Sequence, residues 1–494
     1  MITPVETIVS LLSTQLEARN SSIVARRNGV ISDAFLLPAA AALAWNSSLL
    51  EFTRSVSALD TILLAKTDTL LQASVAEVLG LSLGGVLQLL TSAIDRFGAN
   101  YGLTRKAAQS ATGLVYFYVD TSPATDLYVP SGTLVETAQG VQFATTVEVV
   151  LLKDIVASFY DPAINAYALA APISASTAGP TGNVPAASVI YTVASLPAGF
   201  SGLTNKYAIA NGYSAETDEE FVARIKLTLR GSNLETRDGI ASLILNNTTV
   251  RNLFVADAQS AYQLRNSGKG GVVDIYTTDT IPAVVADTPA YSSTEYTLLH
   301  LPVIEVLSVI GTYLGTPSHP FVEGTDYILV KDTNVLSRNS ARATDSIQWL
   351  TAVHPDIGTT YTVDYAYNQS IELIQTLLTT DNYRPLMGDV TTAVLAREGI
   401  QVPVEISFQV VIFGNYSASS VRNAAITNVQ AYINALNFGA NLAQSDIINV
   451  IENTPGVNYV NTTPLAFNRV GGAIEQNITA LDYEYLRVSS VVIL

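Results

Sequence analysis

The sequence predicts a multidomain α+β protein. It has an N-terminal helical segment, a β-rich middle domain, an α/β module, an inserted β-sandwich-like domain and a C-terminal α+β module. Three observations lead there. A length of 494 residues exceeds what one hydrophobic core serves. The apolar period changes from helical to alternating after Gly113, and becomes helical again near Thr217. Gly, Pro, Asn and Asp gather between these stretches, marking turns. The expected segments are 1–110, 111–211, 212–280, 281–370 and 371–494.

In the first segment Val5, Ile8, Val9, Leu12 and Leu16 recur at helical spacing, and Leu49, Leu50, Phe52, Val56 and Leu59 do so again. Leu63, Leu64, Leu70, Leu71, Val75, Val78 and Leu79 continue the pattern until Gly80, Gly84 and Gly85 loosen it. This is more apolar surface than a few isolated helices can bury, so part of it should face another domain or another chain.

Beyond Gly113, Leu114, Tyr116 and Tyr118 alternate with Val115, Phe117 and Val119, and turns follow at Pro130 to Gly132 and at Gln139-Gly140. Two helices, Asp218 to Leu229 and Thr236 to Leu245, then lead to a strand over Val272 to Tyr276. In the next segment Phe321 to Val330, Ser346 to Leu350 and Thr359 to Tyr367 read as strands. Finally Val402, Val404, Ile406, Phe408, Val410 and Ile412 form one face of a strand. Val421, Ala425, Val429, Ile433 and Leu436 form a helical stripe stopped by Gly439, and Ser445 is placed to cap a helix carrying Ile447, Ile448 and Ile451. Strands near Val457 to Val460 and Tyr485 to Leu494 complete the pattern.

The densest local signal is Asn211 to Arg224. Thr217 followed by Glu220 is a capping box, in which each side chain satisfies a backbone N–H at a helix start. The neighbouring carboxylates suit the positive helix end. Phe221, Ile225 and Leu229 are expected on the buried stripe, with Arg224 and Lys226 off it. A pair of catalytic carboxylates is the sharper alternative, but no His stands nearby and the alternate ligands of a Ca²⁺ loop are missing.

Composition excludes several classes. A net charge of −17 leaves no basic field for nucleic acid or an anionic membrane. The absence of cysteine removes disulfides and thiolate metal sites. His300, His319 and His354 share no ligand spacing. The longest apolar run, Ala34 to Trp45, contains Pro38 and falls short of the roughly 20 residues a spanning helix needs. The start lacks the basic region of a secretory signal. Phosphate-loop, nucleophile-elbow and zinc-protease motifs are missing, and Gly268-Lys269-Gly270-Gly271 lacks the Ser/Thr of a phosphate loop and reads as a hairpin turn. No cofactor, metal or small-molecule substrate is expected. Trp349, Tyr361, Tyr365 and Tyr367 admit carbohydrate binding on an exposed aromatic platform, although alternate Tyr on a strand usually serves packing.

Asn211-Gly212 followed by Glu216-Thr217-Asp218-Glu219, Phe221 and Arg224 resembles the signature of the baseplate J-like proteins of contractile phage tails. Gly182-Asn183-Val184-Pro185 matches that family's turn, and Pro130-Ser131-Gly132-Thr133 with Gly140-Val141-Gln142-Phe143 matches its hairpin entry and aromatic strand. Val250 and Gly270 to Tyr276 fall where it has a strand pair. The resemblance covers Gly98 to Tyr276 best and assigns no role to 281–370.

The resemblance implies a structural, non-enzymatic baseplate wedge subunit in the virion tail, assembled in the host cytoplasm. Its partners would be other wedge proteins and further copies of itself, with indirect links to tube and sheath, in a ring that rearranges to trigger sheath contraction. A host-surface polysaccharide binder or depolymerase is the alternative. Candidate interface residues are Leu12, Leu16, Phe52 and Val56 in the helices and Val411, Phe413, Val492 and Leu494 in the last module. The last four are apolar where a sheet face or edge should be wet.

Overall fold

A computed structural model describes residues 5–19, 36–231, 233, 236–256, 273–278, 280–332, 344–350, 353–379 and 394–494. The turn at Gly268 to Gly271 and the start of the strand expected at Val272 lie outside these. The chain forms two compact units, one of residues 1–106 with 216–229 and one of 107–215 with 230–494. The architecture is multidomain α+β, as the sequence implies.

The first unit is helical: α1 (Val5–Arg19), α2 (Leu37–Ser55), α3 (Leu59–Thr67), α4 (Thr69–Leu79), α5 (Leu83–Ala99) and most of α6 (Asp218–Arg230). Its core joins Ile62, Val75, Val86, Leu90 and Ile94 to Phe221, Val222 and Ile225 of α6. The helical run expected through Leu59 is broken, since α2 stops at Ser55 and α3 starts at Leu59. Asp68 accepts from Leu71 N at the start of α4, and Gly80, at φ 64°, ends it in the left-handed conformation that spares a Cβ clash. Gly84 and Gly85 do not loosen the pattern. They sit in the first turn of α5, whose Ser82 cap accepts from Gly85 N.

The expected stripe on α6 is corrected. Phe221, Val222, Arg224 and Ile225 are buried, whereas Leu229 is half exposed. The helix is rotated so that its start enters the core and its last turn leaves it, and a carboxylate described below draws Arg224 inward.

The second unit opens with a barrel-like sheet. β1 (Thr112–Val119), β3 (Leu134–Thr137), β4 (Gln142–Thr145), β7 (Ala166–Ala175), β8 (Val189–Thr192) and β9 (Gly202–Thr204) pair in the order β8-β3-β4-β7-β1-β9. The short β6 (Tyr160–Asp161) is paired to β7, and β2 (Leu127–Val129) with β5 (Val149–Leu151) forms a separate ribbon. Val115, Phe117, Phe143, Leu169, Ile173 and Leu203 fill the interior. Asn205, fully buried, ties the two end strands together: its Oδ1 accepts from Ser188 N and Val189 N, and its Nδ2 donates to Pro185 O and Tyr207 O. The outer face of β1 is also covered, because Leu114 and Tyr116 pack with Ala366, Ile304 and Leu307.

A small α/β layer follows. β11 (Val273–Thr277) lies between β10 (Leu253–Ala256), antiparallel, and β19 (Val394–Glu398), parallel. Helices α7 (Arg237–Asn247) and α8 (Gln369–Thr379) cover it through Ile240, Ile244, Ile371, Ile374 and Leu378.

Between β11 and α8 stand two further sheets. One is β12 (Pro282–Asp287), β18 (Thr362–Asn368), β14 (Val303–Tyr313) and β15 (Thr316–Phe321). The other is β13 (Glu295–Thr297), β17 (Ser346–Trp349) and β16 (Tyr327–Val330). They share a core of Val309, Phe321, Tyr327, Ile347, Trp349, Val363 and Tyr365. The single strand expected from Phe321 to Val330 is two strands, split by a turn in which Gly324 takes φ 82° and Asp326 Oδ2 accepts from Val322 N.

In the last portion β20 (Ile400–Phe408) lies at the centre, flanked by β24 (Ala466–Arg469) and, in parallel, β26 (Glu484–Ile493). Helices α9 (Ala418–Asn434) and α10 (Gln444–Glu452) pack Val421, Ala425, Val429, Ile433, Ile447 and Ile451 onto Val404, Ile406, Phe408 and Leu486. The ribbons β21 (Val410–Ile412) with β23 (Val457–Val460), and β22 (Asn441–Ala443) with β25 (Asn477–Thr479), complete it. Ser445 does not cap α10. The strand β22 runs straight into the helix, so Ala443 is the N-cap residue, with no side-chain bond, and Ser445 is already in the first turn.

Candidate functional site

The stretch that carries the resemblance divides between the two units at Ala215. Within the helical unit, Glu220 Oε2 accepts from Thr217 N at 2.9 Å and Thr217 Oγ1 accepts from Glu220 N at 3.2 Å. Substitution Thr217→Ala should therefore cost about 1 kcal/mol, read as a lowered melting temperature of this unit with assembly behaviour unchanged. A variant that melts like wild type yet fails in assembly would contradict a folding role.

The other carboxylates are also committed. Glu216 takes Arg224 in a fork, Nε to Oε1 and Nη2 to Oε2, each at 2.7 Å, and accepts from Lys106 N at 3.0 Å. Arg224 Nη2 also donates to Thr104 O, and its guanidinium lies 5.1 Å from the Phe221 ring centre. Asp218 pairs with Lys66 and, at 2.5 Å, with Arg105, which also reaches Asp95. Burial, with Arg105 beside it, lowers the Lys66 ammonium below its ordinary value. These carboxylates hold α3, α5, α6 and the 103–106 strap together. They do not form a pair of acids in contrasting environments.

Within the larger unit, two of the quoted motifs meet. Asn183 Oδ1 accepts from Gly212 N at 2.7 Å, and its Nδ2 donates to Gly212 O at 2.9 Å. A Cβ on residue 212 would lie 2.5 Å from Gly179 O and 3.0 Å from Asn183 Oδ1, so only glycine fits. Asn211 beside it clasps Thr112 through both N and O and reaches Thr280 O. At the hairpin entry Gly132, at φ 81°, donates to Thr145 O, while Phe143 points into the barrel core.

The candidate interface residues fall in two settings. Leu12 and Leu16 are partly exposed on α1, and Phe52 and Val56 are partly buried against the unit's own core. Val411 stands opposite Tyr459 in the β21–β23 pair, 40% and 53% exposed, and Phe413 continues that edge at 47%. Val492 and Leu494 are exposed, and Leu494 O accepts from Val410 N, so the end of β26 abuts the start of β21.

Other sequence candidates are internal. Trp349, Tyr361, Tyr365 and Tyr367 are buried in the core between the two sheets, so they build no exposed aromatic platform. His300 contacts Glu372 at 3.0 Å, His319 packs on Tyr313 and His354 stacks on Tyr291. Among the described residues no group of His, Asp and Glu could hold a metal ion. Sequence reading missed the Glu216–Arg224 fork and the Asn183–Gly212 clasp. The available signal for the first was Arg224 standing three residues after the buried Phe221, on the inner side of the helix.

Residues 115–212 match the Baseplate J-like protein barrel domain. No curated protein matches significantly. Among solved structures, one described as "Cryo-EM structure of the anti-feeding prophage (AFP) baseplate, 6-fold symmetrised" is similar over 99% of this chain and 100% of that one, at 11% identity and a TM-score of 0.32. The barrel match spans the β1–β9 sheet together with the Asn183–Gly212 clasp. The family likeness is therefore that of one domain, residues 115–212, which is similar to the barrel domain of baseplate J-like proteins.

Proposed function

We propose that this chain is a structural wedge subunit of the baseplate, and that its role is binding rather than turnover. With neighbouring wedge proteins and further copies of itself it forms a ring around the tail tube of a contractile phage or related particle, which rearranges to release the sheath. The Baseplate J-like barrel carries this reading. The surface agrees with it. Leu50, Leu64 and Leu70 are exposed by 66%, 67% and 77% on the helical unit, apolar surface that a partner chain could cover. The edge formed by Val411, Phe413, Tyr459, Val492 and Leu494 is a second apolar strip, and we assign it to lateral contact between copies.

The test is Val411→Glu combined with Phe413→Glu. Val411 and Phe413 are 40% and 47% exposed, so the variant should keep its far-ultraviolet circular dichroism while losing self-association in light scattering. Supplied to cells making the other tail proteins, it should fail to complete baseplates seen by electron microscopy. Completed baseplates containing the variant would place the contact elsewhere, and particles that lack the wild-type chain would sink the wedge reading itself.

A further inference from the structure

Where β1 meets the inserted strands and the start of β20, the larger unit holds a cavity of about 250 Å³ that the wedge reading does not use. That volume is far more than one water needs, and lies just below the roughly 300–1,000 Å³ of sites for drug-sized molecules. Ile209, Pro282, Pro302 and Val303 give it apolar walls. Glu398, Lys331 and Asn368 stand among them, and Gln401 is exposed at its edge. Apolar walls with a few convergent polar groups are the make-up of a small-molecule site.

The polar groups in the wall are under-used. Glu398 ends β19, and its Oε1 accepts from Thr280 Oγ1 at 2.8 Å, while Oε2 takes no donor from the described residues. A carboxylate has acceptor sites for about four hydrogen bonds, so most of this one's capacity is left over. Lys331 donates to Ile304 O at 2.6 Å, which engages one of the three donors of an ammonium. Asn368 is 1% exposed; its Oδ1 accepts from Ser370 Oγ at 2.7 Å, but its Nδ2 has no partner. A buried orphan donor calls for an acceptor the protein itself does not supply. Burial also raises the Glu398 carboxyl above its ordinary value, against the opposing pull of Thr280 and Lys331, as suits an anion short of donors.

We propose that this cavity binds a small organic zwitterion, with its ammonium on the Glu398 carboxylate, its carboxylate at Lys331 and its apolar body along Ile209, Pro302 and Val303. Each end meets a group of opposite charge in the protein, so neither charge of the ligand is buried unpaired. A plain amine would set a second cation near Lys331, and a plain acid a second anion near Glu398. Water alone would leave the apolar walls wet. The ligand would brace the junction of β1, β14, β18 and β19, since the lining residues come from all four.

Isothermal titration calorimetry of the full chain with β-alanine, γ-aminobutyrate and ε-aminocaproate tests this. The best of the three should bind saturably, one to one, with Kd below about 1 mM. The amine and the fatty acid of equal chain length, each lacking one charged end, should bind roughly tenfold or more weakly, because each forfeits a charge-assisted hydrogen bond. Glu398→Gln should erase the advantage of the amino acid over the fatty acid. Lys331→Met, at an exposed position, should erase its advantage over the amine, and this variant decides the matter if the first folds poorly. Absence of saturable binding would leave the cavity to water and overturn the site. So would equal binding of the fatty acid, or a preference over the amine that survives in Lys331→Met.

Discussion

Substitution Arg224→Ala should destabilise the helical unit by about 3–5 kcal/mol, the cost of stranding one member of a buried ion pair. Arg224 and Glu216 have side-chain exposures of only 7% and 4%, and both fork bonds are 2.7 Å long. Without the guanidinium, Glu216 keeps the Lys106 N–H but loses both fork bonds, and Thr104 O loses the Nη2 donor. Arg224→Lys should recover only part of the loss, since an ammonium cannot reproduce the planar fork. The double change Glu216→Gln with Arg224→Met should be less damaging than Arg224→Ala, because no charge is left buried. Urea denaturation of the three variants checks this. A loss below about 1 kcal/mol for Arg224→Ala would mean that the pair is solvated in solution and worth no more than a surface pair.

Asn183→Ala should cost about 2–4 kcal/mol in the larger unit, because it leaves both the N–H and the C=O of buried Gly212 without partners at roughly 1–3 kcal/mol each. Both atoms of the Asn183 amide are used, and its own carbonyl accepts from Asn434 Nδ2 at 3.1 Å. Asn183→Asp retains the acceptor but brings an unpaired charge into a site that is 1% exposed, so it should do no better. The loss should appear as faster amide exchange at Thr112, whose N–H is held by the adjacent Asn211, as well as a lower melting temperature. Wild-type exchange at Thr112 in a stable Asn183→Ala protein would show that the clasp does not hold the barrel closed at this point.

Much of the architecture was legible because period reports on burial. Val421, Ala425, Val429 and Ile433 fall on one side of a helix, Val404, Ile406 and Phe408 on one side of a strand, and all are buried as their spacing demands. The capping box is a contact over three residues and so is written locally. What failed depends on partners that local pattern does not encode. An arginine is normally placed outside a helix stripe, and Arg224 is drawn inside by the Glu216 carboxylate ahead of the helix and by Thr104 O. The clasp joins residues 29 apart. Apolar residues on both sides of the Gly324 turn hid the break between β15 and β16, and β22 feeding directly into α10 displaced the cap expected at Ser445.

The parallel pairing of β11 with β19, Val273 opposite Val394, with α8 between them, makes the strands β12 to β18 an excursion from a βαβ crossover. Its first and last strands are neighbours: Pro282 stands opposite Asn368, and Gln369 N donates to Ile281 O. The excursion thus leaves and re-enters the α/β layer through a doorway one strand wide. Loop-closure entropy grows only with the logarithm of length, so such a doorway tolerates a long piece almost as cheaply as a short one. Evolution can exchange, enlarge or discard the piece without disturbing the register of β11 and β19. Its one fixed obligation is to the barrel: whatever fills the doorway must still shelter Leu114 and Tyr116, which Ile304, Leu307 and Ala366 now keep from water.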